Sequence, residues 1–494
     1  MLGNSLPFGP GALTVMAFFI LSMLGVGWAG FFKRREESLE DFYLAGRKMG
    51  FTLLLLTLYA TQYSGNTLMG FSGAAYRQGL HFLVSVHFMT AIVAAYLLFA
   101  PTLYRLSREH RFLTPGDFIY YRYKNHTLRI IITLLMLFVL CNFIAAQLKT
   151  LGTAFAGLSQ GRIPMWAGVA GLLIVMLIYE SLGGMRSVAW TDAIQGGLLF
   201  VGFILLFVLA WTQIGDLPSA IVKLSSDPTQ RFKIDPPELS SATRWISFVL
   251  MVGLGGAIYP QAIQRIFAAS NARVIRRSLI AMAFMPLTTA LVAVCVGVIM
   301  AGHRPGLAFE GSSVVVVSET TLTALFYEIM TRSEIGYWLV VVLFSALIAA
   351  VMSTTDSALL SIGSMVAQDL YLQYIHPTAT QSYLTSIGRW SAWLLMIPVT
   401  WIALVYEGNL IQLLQLKFEL LIQCVPAIYL GIHWNKLSAE TVLMGIAAGV
   451  FVIFGLTFFP EEGFDFWNVH PGVIGLVVNF LVCGRDRFRK GENI

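Results

Sequence analysis

A chain of 494 residues with 57% hydrophobic and only 12% charged residues carries about half the roughly 25% charge of an average soluble domain. A globule of this length could not hide that much apolar surface. The formal net charge of +6 would suggest nucleic acid in a soluble protein, but apolar runs of roughly 18 or more residues recur, each long enough to cross a hydrocarbon core about 30 Å thick. The expected class is an all-α polytopic membrane protein, because only helices and closed barrels satisfy the backbone in lipid.

By the ~20-residue apolar criterion, about 13 candidate spans follow one another: 13–32, 51–72, 80–101, 130–157, 164–183, 188–211, 246–267, 279–301, 337–365, 390–406, 410–432, 442–458 and 471–483. The first lacks a preceding basic stretch and a following small-residue cleavage site, so it reads as a retained span. The second contains Tyr59-Ala60-Thr61-Gln62-Tyr63-Ser64-Gly65-Asn66-Thr67, a polar cluster that is costly in mid-membrane unless its loosened backbone lines a cavity or ion site. Asp192 lies about one turn into the sixth span. It is either a helix-start residue favoured by the dipole or one of a pair with Asp356 around a cation or a proton.

The seventh span carries Gly253, Gly255 and Gly256, then Tyr259-Pro260-Gln261. Interruptions at matching places in two halves point to an inverted-repeat transporter; the other reading is a pair of ordinary Gly/Pro kinks. Arg265 falls near the cytoplasmic end of this span and reads as an interfacial anchor. In the 302–335 connection, Thr320–Met330 is amphipathic, either a helix over an outer vestibule or an ordinary loop helix.

In the ninth span, Ser353, Asp356 and Ser357 stand at i, i+3 and i+4 on one helix face, beside Thr354. Hydroxyl and carboxylate oxygens with freed carbonyls suit a hard cation such as sodium, although serines and threonines also bond their own helix. An ionisable group such as Asp356 inside a span is functional by default. Lys417 in the eleventh span has three readings: a fixed bridge to a carboxylate, a contact for a substrate carboxylate, or a snorkelling side chain. Lys149 in the fourth span carries the same ambiguity.

The four cysteines, Cys141, Cys295, Cys424 and Cys483, show no CxxC spacing and read as small buried hydrophobes. No nucleophile triad, metal cluster or phosphate loop argues for an enzyme. With the N-terminus outside, 21 of the 32 Lys and Arg residues face the cytoplasm, 8 face outward and 3 fall within spans. The positive-inside rule therefore favours N-out, C-in in the plasma (cell inner) membrane. No soluble effector domain is expected after the last span.

These residues resemble the sodium/solute symporter family, which includes proline and pantothenate symporters and sodium–glucose transporters. The resemblance is carried by Tyr43-Leu44-Ala45-Gly46-Arg47-Lys48-Met49-Gly50, by Gly183-Gly184 with the stretch from Ser187 to Gln195, by Ala349–Asp356 with Asp369-Leu370-Tyr371, and by the stretch from Pro426 to Trp434. It implies a ten-helix, five-plus-five inverted-repeat core with two broken helices over 51–435. The first span and its loop (1–50) and the last two spans with a short tail (436–494) would be peripheral.

The resemblance also implies a sodium ion held by the carbonyls of Ala60, Tyr63 and Ala350 and the hydroxyls of Ser353 and Thr354. Asp192, Ser353, Asp356 and Ser357 match a second cation site of some relatives, here for a second sodium or a proton. The candidate substrate-facing residues are Gln62, Ser64, Asn66, Thr67, Tyr259, Gln261, Lys417 and Gln423. Gln62 and Asn66 replace an aspartate and a tryptophan of the proline symporters, so proline specificity does not carry over. The implied function is sodium-coupled import of a small organic solute by alternating access, and the basic groups inside the spans favour an amino acid or other carboxylate-bearing solute. The alternatives are a proton-coupled carrier and a transporter-like solute sensor.

Overall fold

A computed structural model describes residues 9–32, 38–159, 163–307, 320–458 and 468–489, and every regular element among them is helical. Lys33 to Arg35, Arg162, Lys490 and residues 308–319 of the 302–335 connection lie outside the described residues.

The helices are α1 (Pro10–Phe32), α2 (Leu39–Leu44), α3 (Phe51–Gln62), α4 (Gly65–Gln78), α5 (Val84–His110), α6 (Pro115–Tyr123) and α7 (His126–Leu158). Next come α8 (Met165–Leu209), α9 (Leu217–Ser226), α10 (Leu239–Ala257), α11 (Pro260–Ala268), α12 (Ala272–Met282), α13 (Met285–Thr288) and α14 (Ala290–His303). The last are α15 (Thr321–Arg332), α16 (Glu334–Met365), α17 (Gln381–Val405), α18 (Leu410–Leu421), α19 (Val425–His433), α20 (Ala439–Phe458) and α21 (Pro471–Arg489).

Among the described residues, eight helices are long and apolar enough to cross a membrane, or nine if the bent pair Ser241–Ala257 and Pro260–Ala268 is one span. Shorter apolar helices cover Gly11–Val26, Phe51–Gln62, Met165–Ile178 and Pro471–Arg485. Each expected segment is largely helical, with 51–72 interrupted at Tyr63–Ser64 and 246–267 at Ile258–Tyr259, and several boundaries shift. The expected 279–301 segment begins only at Met285, because Ala272–Met282 is an amphipathic helix of its own carrying Arg273, Arg276 and Arg277. The last segment extends to Arg489. Large apolar side chains stand exposed along α1 (Phe18, Leu21), α8 (Trp166, Val201), α17 (Trp390, Leu394, Trp401) and α20 (Phe451), a surface suited to hydrocarbon.

Three breaks position the interior. Between α3 and α4, Tyr63 and Ser64 are extended, with φ/ψ of −103/107° and −112/178°. The chain re-enters a helix at Gly65, where a Cβ would lie 2.5 Å from the Val351 side chain, so glycine lets the break press against α16. Between α10 and α11 the axis bends by 46°, and Pro260 takes the first helical position of α11, where its missing N–H costs nothing. α8 is broken at Gly184, whose φ of 57° and ψ of −152° suit only glycine.

α16 forms the axis of the molecule: from Leu343 to Met365 every residue is buried, and the helix packs on α3, α7, α8, α11 and α17. The start of α3 and the end of α11 are tied by a strand-like bridge, Met49 N–H to Ala268 O (3.1 Å) and Ser270 N–H to Met49 O (3.0 Å). At the same end Asp369 accepts hydrogen bonds from Arg129 (2.6 Å) and Thr114 (2.6 Å). α15, the expected amphipathic helix, packs against α4, α7, α14 and α16, with Glu328 paired to Arg304 and Arg332.

Candidate functional site

The α3–α4 break frees backbone oxygen. A continuing helix would give the Ala60 carbonyl the Ser64 N–H, but that N–H donates to Thr67 Oγ1 instead (3.2 Å). The first bonds of α4 run to the Ser64 carbonyl, so the Tyr63 carbonyl stands ahead of that ladder. Facing the break, Thr354 Oγ1 donates to Ala350 O (2.8 Å) and lies 3.4 Å from Ala60 O. Ser353 Oγ, one residue earlier, donates to Asp192 Oδ1 (2.6 Å). Both hydroxyls keep lone pairs after these donations, and with the released carbonyls they make an all-oxygen set of the kind hard cations take.

Asp192 is the centre of a buried network, and here the structure corrects the sequence reading. Arg265 is no interfacial anchor. It is fully buried, and its Nη2 donates to Asp192 Oδ2 (2.8 Å). Its Nε donates to Thr57 Oγ1 (2.8 Å), its Nη1 to Gln261 O (3.1 Å), and Nη2 also to Ser357 Oγ. Thr57 in turn donates to Asp192 Oδ2. The cation beside Asp192 and Ser357 is therefore a guanidinium contributed by α11, and both Asp192 oxygens are occupied by Thr57, Ser353 and Arg265. Asp356, fully buried one turn away from Ser353, has neither an ion pair nor a hydrogen bond among the described residues.

Beyond the break lies a cavity lined by Gln62, Ser64, Asn66, Thr67, Phe71, Phe88, Met89, Ile92, Phe143, Val252, Tyr259, Leu414, Lys417 and Phe418. Six of the eight expected substrate-facing residues are in this set. The cavity is narrow, ≈ 30 Å³ measured at water centres, room for about two waters. Its walls must part to admit an organic solute. Gln62 Nε2 donates to Tyr96 Oη (2.5 Å), while Asn66 Oδ1 and the Tyr259 hydroxyl have no partner among the described residues.

Lys417 is 2% exposed, and its ammonium lies 4.0 Å from the Phe143 ring centroid, 5.3 Å from Phe418 and 5.7 Å from Tyr259. Neither the fixed bridge nor the snorkelling arrangement is present: no carboxylate pairs with it among the described residues, and it is deeply buried. Lys149 differs. Its ammonium donates to Tyr406 O (2.8 Å) and Gly408 O, tying down the end of α17.

Two expected substrate residues stand elsewhere. Gln423 donates to Gly472 O (2.9 Å) and receives Asn479 Nδ2 on its carbonyl (3.0 Å), so it fastens the α18–α19 kink to α21. Gln261 follows the break and does not line the cavity; its side-chain amide is buried without a partner among the described residues. Sequence reasoning missed Thr57, whose position in an apolar run gives no signal, and Phe143, one aromatic among many on α7.

The profile of the sodium:solute symporter family matches residues 42–449. The chain belongs to that family. The symporter is 27% identical to a sodium/pantothenate symporter of Haemophilus influenzae, over 98% of both chains. It is 25% identical to an osmoregulated proline transporter of Bacillus subtilis, over 94% of both. Its fold is similar to that of a Na+-coupled sialic acid symporter solved in a substrate-bound outward-open state, with a TM-score of 0.79 at 18% identity over 96% of this chain and 97% of the other. It is a sodium-coupled solute symporter and not an enzyme, and the proton-coupled and sensor alternatives are not favoured.

Proposed function

We propose that this symporter imports a small organic carboxylate with sodium by alternating access. In this reading sodium is held by the carbonyls of Ala60, Tyr63 and Ala350 and the hydroxyls of Ser353 and Thr354. The observation that carries the substrate reading is Lys417, a buried ammonium lining the cavity with aromatic faces around it and no carboxylate partner among the described residues. An uncompensated buried charge is costly, and a solute carboxylate would supply the missing counter-ion. Asp192 and Ser357 are assigned to the Arg265 network, not to a second sodium, and Asp356 is assigned no ion.

The coupling follows from where the sodium ligands sit. Ala60 and Tyr63 belong to the broken helix whose second half, α4, begins at the cavity, while Ala350, Ser353 and Thr354 belong to α16. Sodium bound between them fixes the start of α4, which orders Ser64, Asn66 and Thr67 for the solute. By linkage the solute must tighten sodium by the same factor.

The proposal includes thirteen spans in the plasma membrane, N-terminus outside and C-terminus cytoplasmic. A five-plus-five repeat core would cover 51–435, with 1–50 and 436–494 peripheral. The paired bends at α3–α4 and α10–α11 support the repeat.

The test is radiolabelled uptake into proteoliposomes from pooled amino and organic acids, driven by a sodium gradient, a proton gradient or neither. Sodium-driven uptake is expected. Ser353→Ala and Thr354→Ala should each raise the half-saturating sodium concentration at least roughly tenfold, equivalent to ~1.4 kcal/mol. Uptake that ignores sodium, or binding without uptake, would refute the reading.

A further inference from the structure

The chemistry of the cavity wall narrows the solute class further, on the reading that Lys417 meets the solute carboxylate. The described lining residues hold one charged group, Lys417, and no aspartate or glutamate. The neutral polar groups, Gln62, Ser64, Asn66, Thr67 and Tyr259, come from the α3–α4 break and the α10–α11 break. The rest of the wall is hydrocarbon or aromatic, including Phe71, Phe88, Met89 and Ile92.

Several donors suit one anion. α4 is a 14-residue helix that starts at the cavity, and the N–H groups of Gly65 and Asn66 precede its first bonds, which run from Thr67 and Leu68 to the Ser64 carbonyl. The Tyr259 hydroxyl is buried, without a partner among the described residues and on the cavity wall, and can donate to a carboxylate oxygen. Nothing charged in the wall answers an ammonium. At an effective dielectric of about 20, an α-ammonium about 6 Å from Lys417 is repelled by enough to cost on the order of 100-fold in affinity. A second carboxylate fares no better, since the described lining residues offer it neutral polar groups but no second cation.

We infer that the solute is a monocarboxylate with an apolar body, and that α-amino acids and dicarboxylates are rejected at this cavity. Moved together, sodium and a monoanion leave no net charge, and each solute carboxylate neutralises Lys417 while bound.

The experiment compares solutes that differ by the ammonium alone: propionate against alanine, and 3-methylbutanoate against valine, with succinate and glucose alongside. The readout is solute-stimulated 22Na+ uptake into proteoliposomes near neutral pH, which passive leak of the protonated acids does not mimic. The monocarboxylates should act at concentrations about 100-fold below their amino-acid partners. Lys417→Met should raise their half-saturating concentration at least as much, while sodium still stabilises that variant against heat. Alanine or valine equal to or better than its partner, an effective dicarboxylate or sugar, or a Lys417→Met response like wild type would overturn the inference and leave sodium coupling standing. If no solute of any class stimulates 22Na+ entry, the symport reading falls with it. The wild-type comparison decides the matter even if Lys417→Met does not fold.

Discussion

Asp192→Asn removes the counter-charge of Arg265 while keeping the shape of the side chain. The remaining amide oxygen can still accept from Ser353 or Thr57, but the guanidinium stays fully buried beside a neutral group. Breaking a buried pair by removing one partner costs about 3–5 kcal/mol. Arg265→Gln should cost a similar amount by leaving the carboxylate uncompensated. The double variant Asp192→Asn/Arg265→Gln buries no net charge, so its loss should be smaller than the sum of the singles by about 3 kcal/mol. The assay is thermal unfolding of purified protein in one detergent, with each variant scanned across sodium concentrations. A second readout separates charge from mere stability: Ser353 is held by Asp192, so Asp192→Asn should also raise the sodium concentration for half-maximal stabilisation by roughly tenfold. Additive losses in the double variant, or an Asp192→Asn protein as stable as wild type, would refute the pairing as the reason these residues are buried together.

Two further outcomes follow from local geometry. Gly184→Ala should destabilise the protein by roughly 2 kcal/mol or more, because φ is 57° there and the added Cβ would lie 2.6 Å from the Phe42 carbonyl. Gly171→Ala, with nothing within 4 Å, is the control, and equal thermal stability of the two variants would sink the argument. His470, in the loop before α21, is pushed down to about 4 by burial and by the nearby Arg244. The unfolded chain therefore takes up this proton near pH 6.5, whereas the folded one resists until about pH 4. The stability from the neutral ring is complete above the unfolded value and is lost as pH falls through the window between the two, by up to roughly 3 kcal/mol. His470→Gln should flatten the fall in melting temperature across that window, and a parallel fall in both proteins would exclude this histidine as its cause.

Much of the architecture was legible in the sequence because it is local. Hydropathy over ~20 residues marks embedding, and a glycine, proline or polar cluster inside such a run marks a break, since both depend on neighbours within a few turns. The Tyr59–Thr67 cluster and Tyr259-Pro260 stand at the two main interruptions, and Gln62, Ser64, Asn66, Thr67, Tyr259 and Lys417 share one cavity. What the sequence left open was the partner of each buried polar group. Asp192 meets Arg265 across 73 residues and Ser353 across 161, while Gln423 is claimed by Asn479 at the far end of the chain. A helical period says which residues share a face, but not which face of which distant helix lies opposite. Only the packing of α3, α8, α11 and α16 against one another made Asp192 the counter-ion of an arginine, and only the approach of α7 and the α10–α11 break to α18 set Lys417 among the rings of Phe143, Tyr259 and Phe418.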